Sequence, residues 1–226
     1  MIKLVVFDWN GTLLADTLAC MDADNHLIKA FGGQPTGLKR YRETVIIPAI
    51  DFYVQHGCDR EYFLNNMEKA GKIFHEFYEP RAERVRTRKN AKKILQWLQE
   101  KKIQSVILSN HTVQGISAQL KRLKIEKYFT ELLANDALDS SMKKRNKKEK
   151  LETLFRKSGL KKDEVIIIGD SPEENEMGKH IGIFTVSIKN GYYSTPRLRK
   201  SNPDYLIDNL NDLQKIIESL GTVSQS

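Results

Sequence analysis

Short apolar runs that end abruptly on polar residues alternate, along this chain, with stretches whose apolar positions recur every three or four residues. Residues 3–7 (KLVVF), 104–108 (QSVIL) and 165–168 (VIII) are of the first kind, as are weaker runs at 131–134 (ELLA), 183–188 and 205–207 (YLI). Runs this short and this uniformly apolar predict strands covered on both faces. The helical period places Ala91, Ile94, Leu95 and Leu98 on one face of a helix over 89–101. It does the same for Ile116, Leu120 and Leu123 over about 113–123, and for Leu151, Leu154 and Phe155 over 148–157, where Gly159 is the stop. Further helices are predicted over 173–181 and 210–219. Strands alternating with amphipathic helices predict an α/β fold, a doubly wound parallel sheet.

The first two strands are too far apart for a simple crossover. The block between them runs about 65 residues, where about a dozen suffice. Its patterning is helical, as in Phe63, Met67, Ala70, Ile73, Phe74 and Phe77. A helical subdomain is therefore expected over 16–84, inserted after the first strand. The core is expected to comprise 1–15 and 85–220, followed by a frayed tail over 221–226.

Composition adds bounds. Apolar residues make up 40% and charged residues 29% of 226, ordinary for a globular protein. No apolar stretch approaches the length that spans a bilayer or forms a signal sequence. The expectation is a soluble, cytoplasmic protein. Cys20 and Cys58 form no C-x-x-C pair and are expected to be reduced thiols rather than zinc ligands. The net charge of +8 owes much to the run Lys143-Lys144-Arg145-Asn146-Lys147-Lys148-Glu149-Lys150 and to Arg81, Arg84, Arg86 and Arg88. A basic balance favours anionic partners, phosphorylated metabolites and nucleic acid alike.

In an open parallel sheet, ligands bind outside the carboxyl ends of the strands. Three predicted strands end there on polar residues: Asp8, Ser109 and Asp170. Each alone is an ordinary turn former or cap; three together point to a site.

At these positions the chain resembles the haloacid dehalogenase-like superfamily. The resemblance rests on Asp8-Trp9-Asn10-Gly11-Thr12-Leu13, Ser109-Asn110, a lysine before a helix, and Gly169-Asp170-Ser171 with Glu174, in the family's order. It implies a Rossmann-like core with a helical cap of the first type. It also implies a Mg²⁺-dependent phosphatase acting on a small phosphorylated molecule, with Asp8 as the nucleophile that forms an aspartyl-phosphate. Mg²⁺ would be held by Asp8, the main-chain carbonyl of Asn10 and Asp170, with Glu174 joined through water. Ser109 and the backbone amides near Trp9, Asn10 and Asn110 would bind the phosphoryl oxygens. The lysine would be Lys147, with Lys148 as the alternative.

Two departures stand out. Glu174 occupies a place where the family usually has aspartate. At position 10 the family's phosphatases usually carry a second aspartate, the general acid and base, and an amide cannot move a proton near neutral pH. Three readings follow: a phosphatase for good leaving groups, a proton supplied by another side chain (His111, His26, Lys39, Arg40 or Tyr41), or a binding and regulatory module. Two others compete. A nucleic-acid end phosphatase would use the run 143–150, and a phosphonoacetaldehyde-hydrolase-like enzyme would form a Schiff base on Lys29 or Lys39.

Overall fold

The computed structural model describes residues 1–136 and 146–223. The described residues build a parallel six-stranded sheet: β1 (Leu4–Phe7), β2 (Gln104–Thr112), β3 (Glu131–Asn135), β4 (Val165–Gly169), β5 (Phe184–Ile188) and β6 (Tyr205–Ile207). Their order is β3-β2-β1-β4-β5-β6. β1 is central, with Phe7 opposite Ile107 on one side and Ile168 on the other. The chain winds outward from β1 through β2 to β3, then returns to β4 on the other side. The reversal falls between β1 and β4, and a crevice opens at such a point beyond the strand ends.

Between β1 and β2 lie α1 (Thr17–Ala30), α2 (Leu38–Thr44), α3 (Ala49–Gln55), α4 (Arg60–Asn65), α5 (Met67–Ala82) and α6 (Ala91–Glu100). After β2 come α7 (Val113–Leu123), α8 (Lys147–Ser158), α9 (Pro172–Ile181), α10 (Thr195–Lys200) and α11 (Asp212–Val223).

Strand alternation sorts the core into two layers. Val5 and Phe7 face a cluster with Ile94 and Leu98 of α6, Ile116 of α7 and Leu213 of α11. Leu4 and Val6 face the opposite cluster, with Leu151 of α8 and Met177 of α9. Period two along β1 thus supplies both layers, which is why the strand reads as an unbroken apolar run.

The helical insert α1–α5 has apolar clusters of its own, one around Leu27, Phe31, Tyr41, Phe52 and Phe63. It is fastened to the core by arginines. Arg42 donates to the carbonyls of Asn190 and Gly191, and Arg197 donates to those of Arg42 and Val45. Both thiols are free.

A carboxylate is buried inside this insert. Asp24 accepts hydrogen bonds from the Tyr41 hydroxyl at 2.8 Å and the Tyr53 hydroxyl at 2.7 Å. Burial pushes its carboxyl up from 3.8 to about 6, against the pull of those hydroxyls. The folded chain therefore holds a proton between about pH 4 and 6 that the unfolded chain has lost. Stability falls as pH rises through that window, and the penalty is complete above it, amounting to at most about 3 kcal/mol. Asp24→Asn is expected to be more stable than wild type at pH 7.5, by about 1–3 kcal/mol. The gain should shrink at pH 4.5. Urea midpoints at the two pH values check this; a less stable variant at pH 7.5 would mean the tyrosine bonds outweigh burial.

Three differences from the sequence expectations have physical reasons. β2 continues to Thr112 rather than ending at 108. Its last residues are polar because they line the crevice, and its pairing with β3 shifts register between Leu108 and Thr112. Helix α10 has no apolar period to announce it; it begins with Thr195-Pro196 and buries only Leu198. The last helix runs on to Val223. Residues 224–226 of the expected tail lie outside the described residues.

Candidate active site

Asp8 follows the last residue of β1, and Asp170 follows the last residue of β4. The two carboxylates thus flank the topological reversal. Both are buried, at 7% and 2% exposure. Ser109 lies at the same end of β2, where its hydroxyl accepts from the His111 amide at 3.1 Å.

Lys147, the first residue of α8, reaches back across this end of the sheet. Its Nζ donates to Asp8 Oδ1 at 2.6 Å and also to Glu174. Burial opposes its charge, but Asp8 and Glu174 together outweigh that and hold the ammonium well above its usual range. Its neighbours point elsewhere. Lys148 is exposed and pairs with Glu152 at 3.9 Å, while Lys150 donates to Ala134 and Asn135. Lys143, Lys144 and Arg145 lie outside the described residues. Of the run's lysines that are described, only Lys148 is left on the surface.

Glu174 has two partners. One oxygen meets Lys147; the other accepts from the Ser171 hydroxyl at 2.6 Å and from its amide. This is the capping box of α9. The side chain thereby orients Lys147 and starts a helix at once.

Asp170 is wedged between two glycines. A Cβ built on Gly11 or on Gly191 would overlap its carboxylate. Gly11 also takes a φ of +73°, which side chains rarely adopt. The Asp170 carboxylate accepts from the Thr12 hydroxyl at 3.2 Å and from the Tyr192 amide. Arg88 braces the same turn by donating to the Gly11 carbonyl at 2.7 Å and to the Lys189 carbonyl.

Trp9 is completely buried, and its indole N–H donates to Gln119 at 2.6 Å. The ring is an anchor, so only the backbone of Trp9 is available to a phosphoryl group. Asn110 lines the crevice, and its amide donates to Glu173 at 3.1 Å.

Asn10 lies in a network that the sequence did not reveal. Its Nδ2 donates to Asp16 at 2.7 Å and to the Tyr78 hydroxyl at 2.8 Å. The buried Asp16 carboxylate also accepts from the Gly11 amide, the Tyr78 hydroxyl and the Tyr192 hydroxyl. A carboxylate in place of Asn10 would confront Asp16 at hydrogen-bond distance, with no hydrogen to offer. Asn10→Asp is therefore expected to cost about 1–3 kcal/mol. Asn10→Asp combined with Asp16→Asn should recover most of it. A double-mutant cycle by thermal unfolding decides; additive losses would mean that the two residues act independently.

The signal for Asp16 was weak. It stands just before α1, where an aspartate normally caps the helix, yet its side chain makes no cap bond and turns inward. Tyr78 and Tyr192 come from distant segments and carry no motif.

The other proton donors considered for the site fall into two groups. His111 and Tyr41 line the crevice. His111 is kept from charging by burial, and among the described residues its Nε2 has no hydrogen-bond partner, the Glu79 carboxylate standing 4.0 Å away. His26 instead stacks on Phe77 with ring centroids 4.3 Å apart. Lys29, Lys39 and Arg40 are exposed, and none lines the crevice. No lysine of the insert is therefore in place to form a Schiff base there.

Charge balance bears on the expected metal. Among the described residues, no three His, Cys, Asp or Glu side chains converge as a ligand group. Asp8 and Asp170 nevertheless form a buried acidic pair. Burial pushes Asp8 up to about 7 despite Lys147, and burial together with the charge of Asp8 holds Asp170 well above its usual range. Lys147 is shared with Glu174, and Arg88 only partly offsets the burial of Asp170, so the pair is short of counter-charge. A hard divalent cation between two carboxylates and a main-chain carbonyl would supply it, and Mg²⁺ suits such oxygen donors. The residues fit the ion.

Comparison with known proteins agrees with the fold. The family model described as haloacid dehalogenase-like hydrolase matches residues 5–188. A phosphoglycolate phosphatase of Pseudomonas fluorescens is 23% identical over 222 residues, covering 95% of this chain and 78% of that protein. One of Vibrio parahaemolyticus is 23% identical over 223 residues, covering 96% of each. Among solved structures, a predicted phosphatase from Clostridium acetobutylicum superposes with a TM-score of 0.78 at 18% identity, covering 96% of this chain and 99% of that one. A predicted phosphoglycolate phosphatase from Haemophilus somnus gives 0.77 at 19%, covering 96% and 98%.

Proposed function

The chain belongs to the haloacid dehalogenase-like hydrolase family, and we propose that it is a phosphatase that removes phosphate from a small ester through Asp8. The observation that carries this is the Asp8 carboxylate at the end of β1, paired with Lys147 at 2.6 Å beside Asp170. The names of the two relatives above, both phosphoglycolate phosphatase, support a small phosphorylated substrate. Among the described residues, no helix is long and apolar enough to cross a membrane.

Asp8 attacks phosphorus, its oxygen forming a bond as the ester oxygen departs with the electron pair. Lys147, Ser109 and the backbone amides near Trp9, Asn10 and Asn110 surround the phosphoryl oxygens with donors and positive charge. Glu174 positions Lys147. Water then attacks the aspartyl-phosphate and the Asp8 carboxylate is released. Asp8, Asp170 and the Asn10 carbonyl would hold Mg²⁺, with Glu174 reaching it only through water. When bound, the ion supplies charge to the dianionic phosphoryl group. The insert α1–α5 acts as a cap over this site.

Phosphate release from an aryl phosphate is expected to stop when divalent ions are chelated and to return with added Mg²⁺. Equal release in both conditions would remove Mg²⁺ from the reading.

A second reading, a phosphate-ligand-binding module, is favoured by Asn10, whose amide is fixed as a donor to Asp16 and Tyr78. Turnover separates the two. If phosphate analogues bind tightly while wild type and the Asn10→Asp, Asp16→Asn double variant both fail to release phosphate, the binding module stands. A nucleic-acid end phosphatase has less support, since Lys147 and Lys150 are turned inward.

A further inference from the structure

The crevice beyond Asp8 continues into the insert as a cavity of about 240 Å³. The two ends differ chemically. At the sheet end are Asp8, Ser109, Lys147 and Asp170. At the insert end the walls are Ile46, Ile47, Phe52 and Phe74, with the rings of Tyr41 and Tyr192. The apolar positions continue the insert's own hydrophobic cluster.

The charged groups at the insert end offer an anion no partner. Asp24 lines it and is itself a carboxylate. His75 lines it too, but lies 3.2 Å from Glu79. Among the described residues, no lysine or arginine of the insert reaches the cavity. Lys29, Lys39, Arg40, Lys69 and Lys72 are exposed, and Arg42 spends its guanidinium on the carbonyls of Asn190 and Gly191. His111 also lines the cavity, but burial keeps it from charging. Among the described residues, a second anion on the leaving group would therefore find no cation of the insert to pair with.

Position 10 restricts the leaving group independently. The Asn10 amide is bonded to Asp16 and Tyr78 and gives no proton to a departing oxygen. A departing oxygen must then carry its own negative charge. A phenol, with a pKa of about 10 as in tyrosine, bears this far better than an alcohol, whose pKa lies near that of water at about 15.7.

We propose that the substrate class is an aryl monophosphate whose aryl group bears no further charge, with its phosphoryl group on Asp8 and its ring among Phe52, Phe74 and Tyr41. The inference rests on the phosphatase reading and departs from the substrate in the relatives' names. In the first step the Asp8 oxygen–phosphorus bond forms and the phosphorus–aryl oxygen bond breaks, giving phenolate and aspartyl-phosphate. In the second, water adds to phosphorus and the Asp8 carboxylate departs, giving dihydrogen phosphate. The phenolate takes one of its protons, so the products are phenol and hydrogen phosphate.

The test uses the full chain with Mg²⁺. kcat/KM is measured on phenyl phosphate, 1-naphthyl phosphate, hexyl phosphate and 2-phosphoglycolate. The aryl esters are expected to exceed 2-phosphoglycolate by about 10²-fold or more, the scale on which a misplaced polar group is rejected. Aryl esters are also intrinsically more reactive, so binding is measured separately. Phenylphosphonate is expected to inhibit at least about tenfold more tightly than phosphonoacetate. Ile46→Arg, checked for folding by thermal unfolding, should reverse that order. Tighter binding of phosphonoacetate by wild type, or faster turnover of 2-phosphoglycolate, overturns the aryl class while leaving the phosphatase reading intact. No phosphate release from any ester overturns the phosphatase reading itself.

Discussion

Replacing Asp8, the proposed nucleophile, with asparagine is expected to lower phosphate release by about 10⁴-fold or more. The two side chains have nearly the same shape. The amide oxygen can still accept from Lys147, so the 2.6 Å contact need not be lost. The replacement also removes one negative charge from a pair in which burial and mutual repulsion work against ionisation. The melting temperature should therefore hold or rise while activity disappears. That combination separates loss of a nucleophile from loss of fold. Acid quenching of wild type during turnover should trap phosphate on Asp8, and the variant should trap none. Equal phosphate release by both proteins would remove Asp8 from the mechanism.

Lys147→Met should do the opposite, damaging the fold as well as the chemistry. Lys147 is 3% exposed and lies between Asp8 and Glu174. Methionine fills much of the same space but leaves two buried carboxylates facing each other. Removing one partner of a buried ion pair costs about 3–5 kcal/mol. For a chain of this length that corresponds to a fall of about 10 °C in melting temperature. Glu174 keeps its Ser171 bonds, so α9 should retain its start and far-ultraviolet dichroism should change little. Scanning calorimetry checks the first expectation. A variant with unchanged melting temperature and no activity would show that Lys147 serves the phosphoryl group alone.

The two predictions concern residues of very different legibility. Asp8 could be read directly, because a buried strand that stops on a carboxylate stands out against its neighbours. Ser109 and Asp170 gained meaning from the same rule, and the strand order now places Asp8 and Asp170 astride the reversal. Lys147 is preferred to Lys148 only through the family resemblance, because five lysines within eight residues carry nearly the same local signal. Geometry separates the described ones: α8 starts at Lys147 and brings its ammonium to Asp8 at the end of β1. Asp16 was not legible. Its partners Tyr78 and Tyr192 lie 62 and 176 residues away, and no local pattern encodes a contact at that range. The apolar pattern ends β2 at 108, because the polar residues that carry the strand on to Thr112 serve the crevice rather than the core.

The segment 189–194 does two jobs at once. Its backbone fastens Asp170 through Gly191 and the Tyr192 amide, and takes the Arg88 bond at Lys189. It also moors the insert, since Arg42 donates to Asn190 and Gly191 and the Ser194 amide donates to Arg42. Door and lock therefore share one hinge plate. The insert cannot swing far from the sheet without pulling on the strip of backbone that seats Asp170. With the insert acting as the proposed cap, substrate admission would be tied to the readiness of the acidic pair, and a wide-open enzyme would also be a disarmed one.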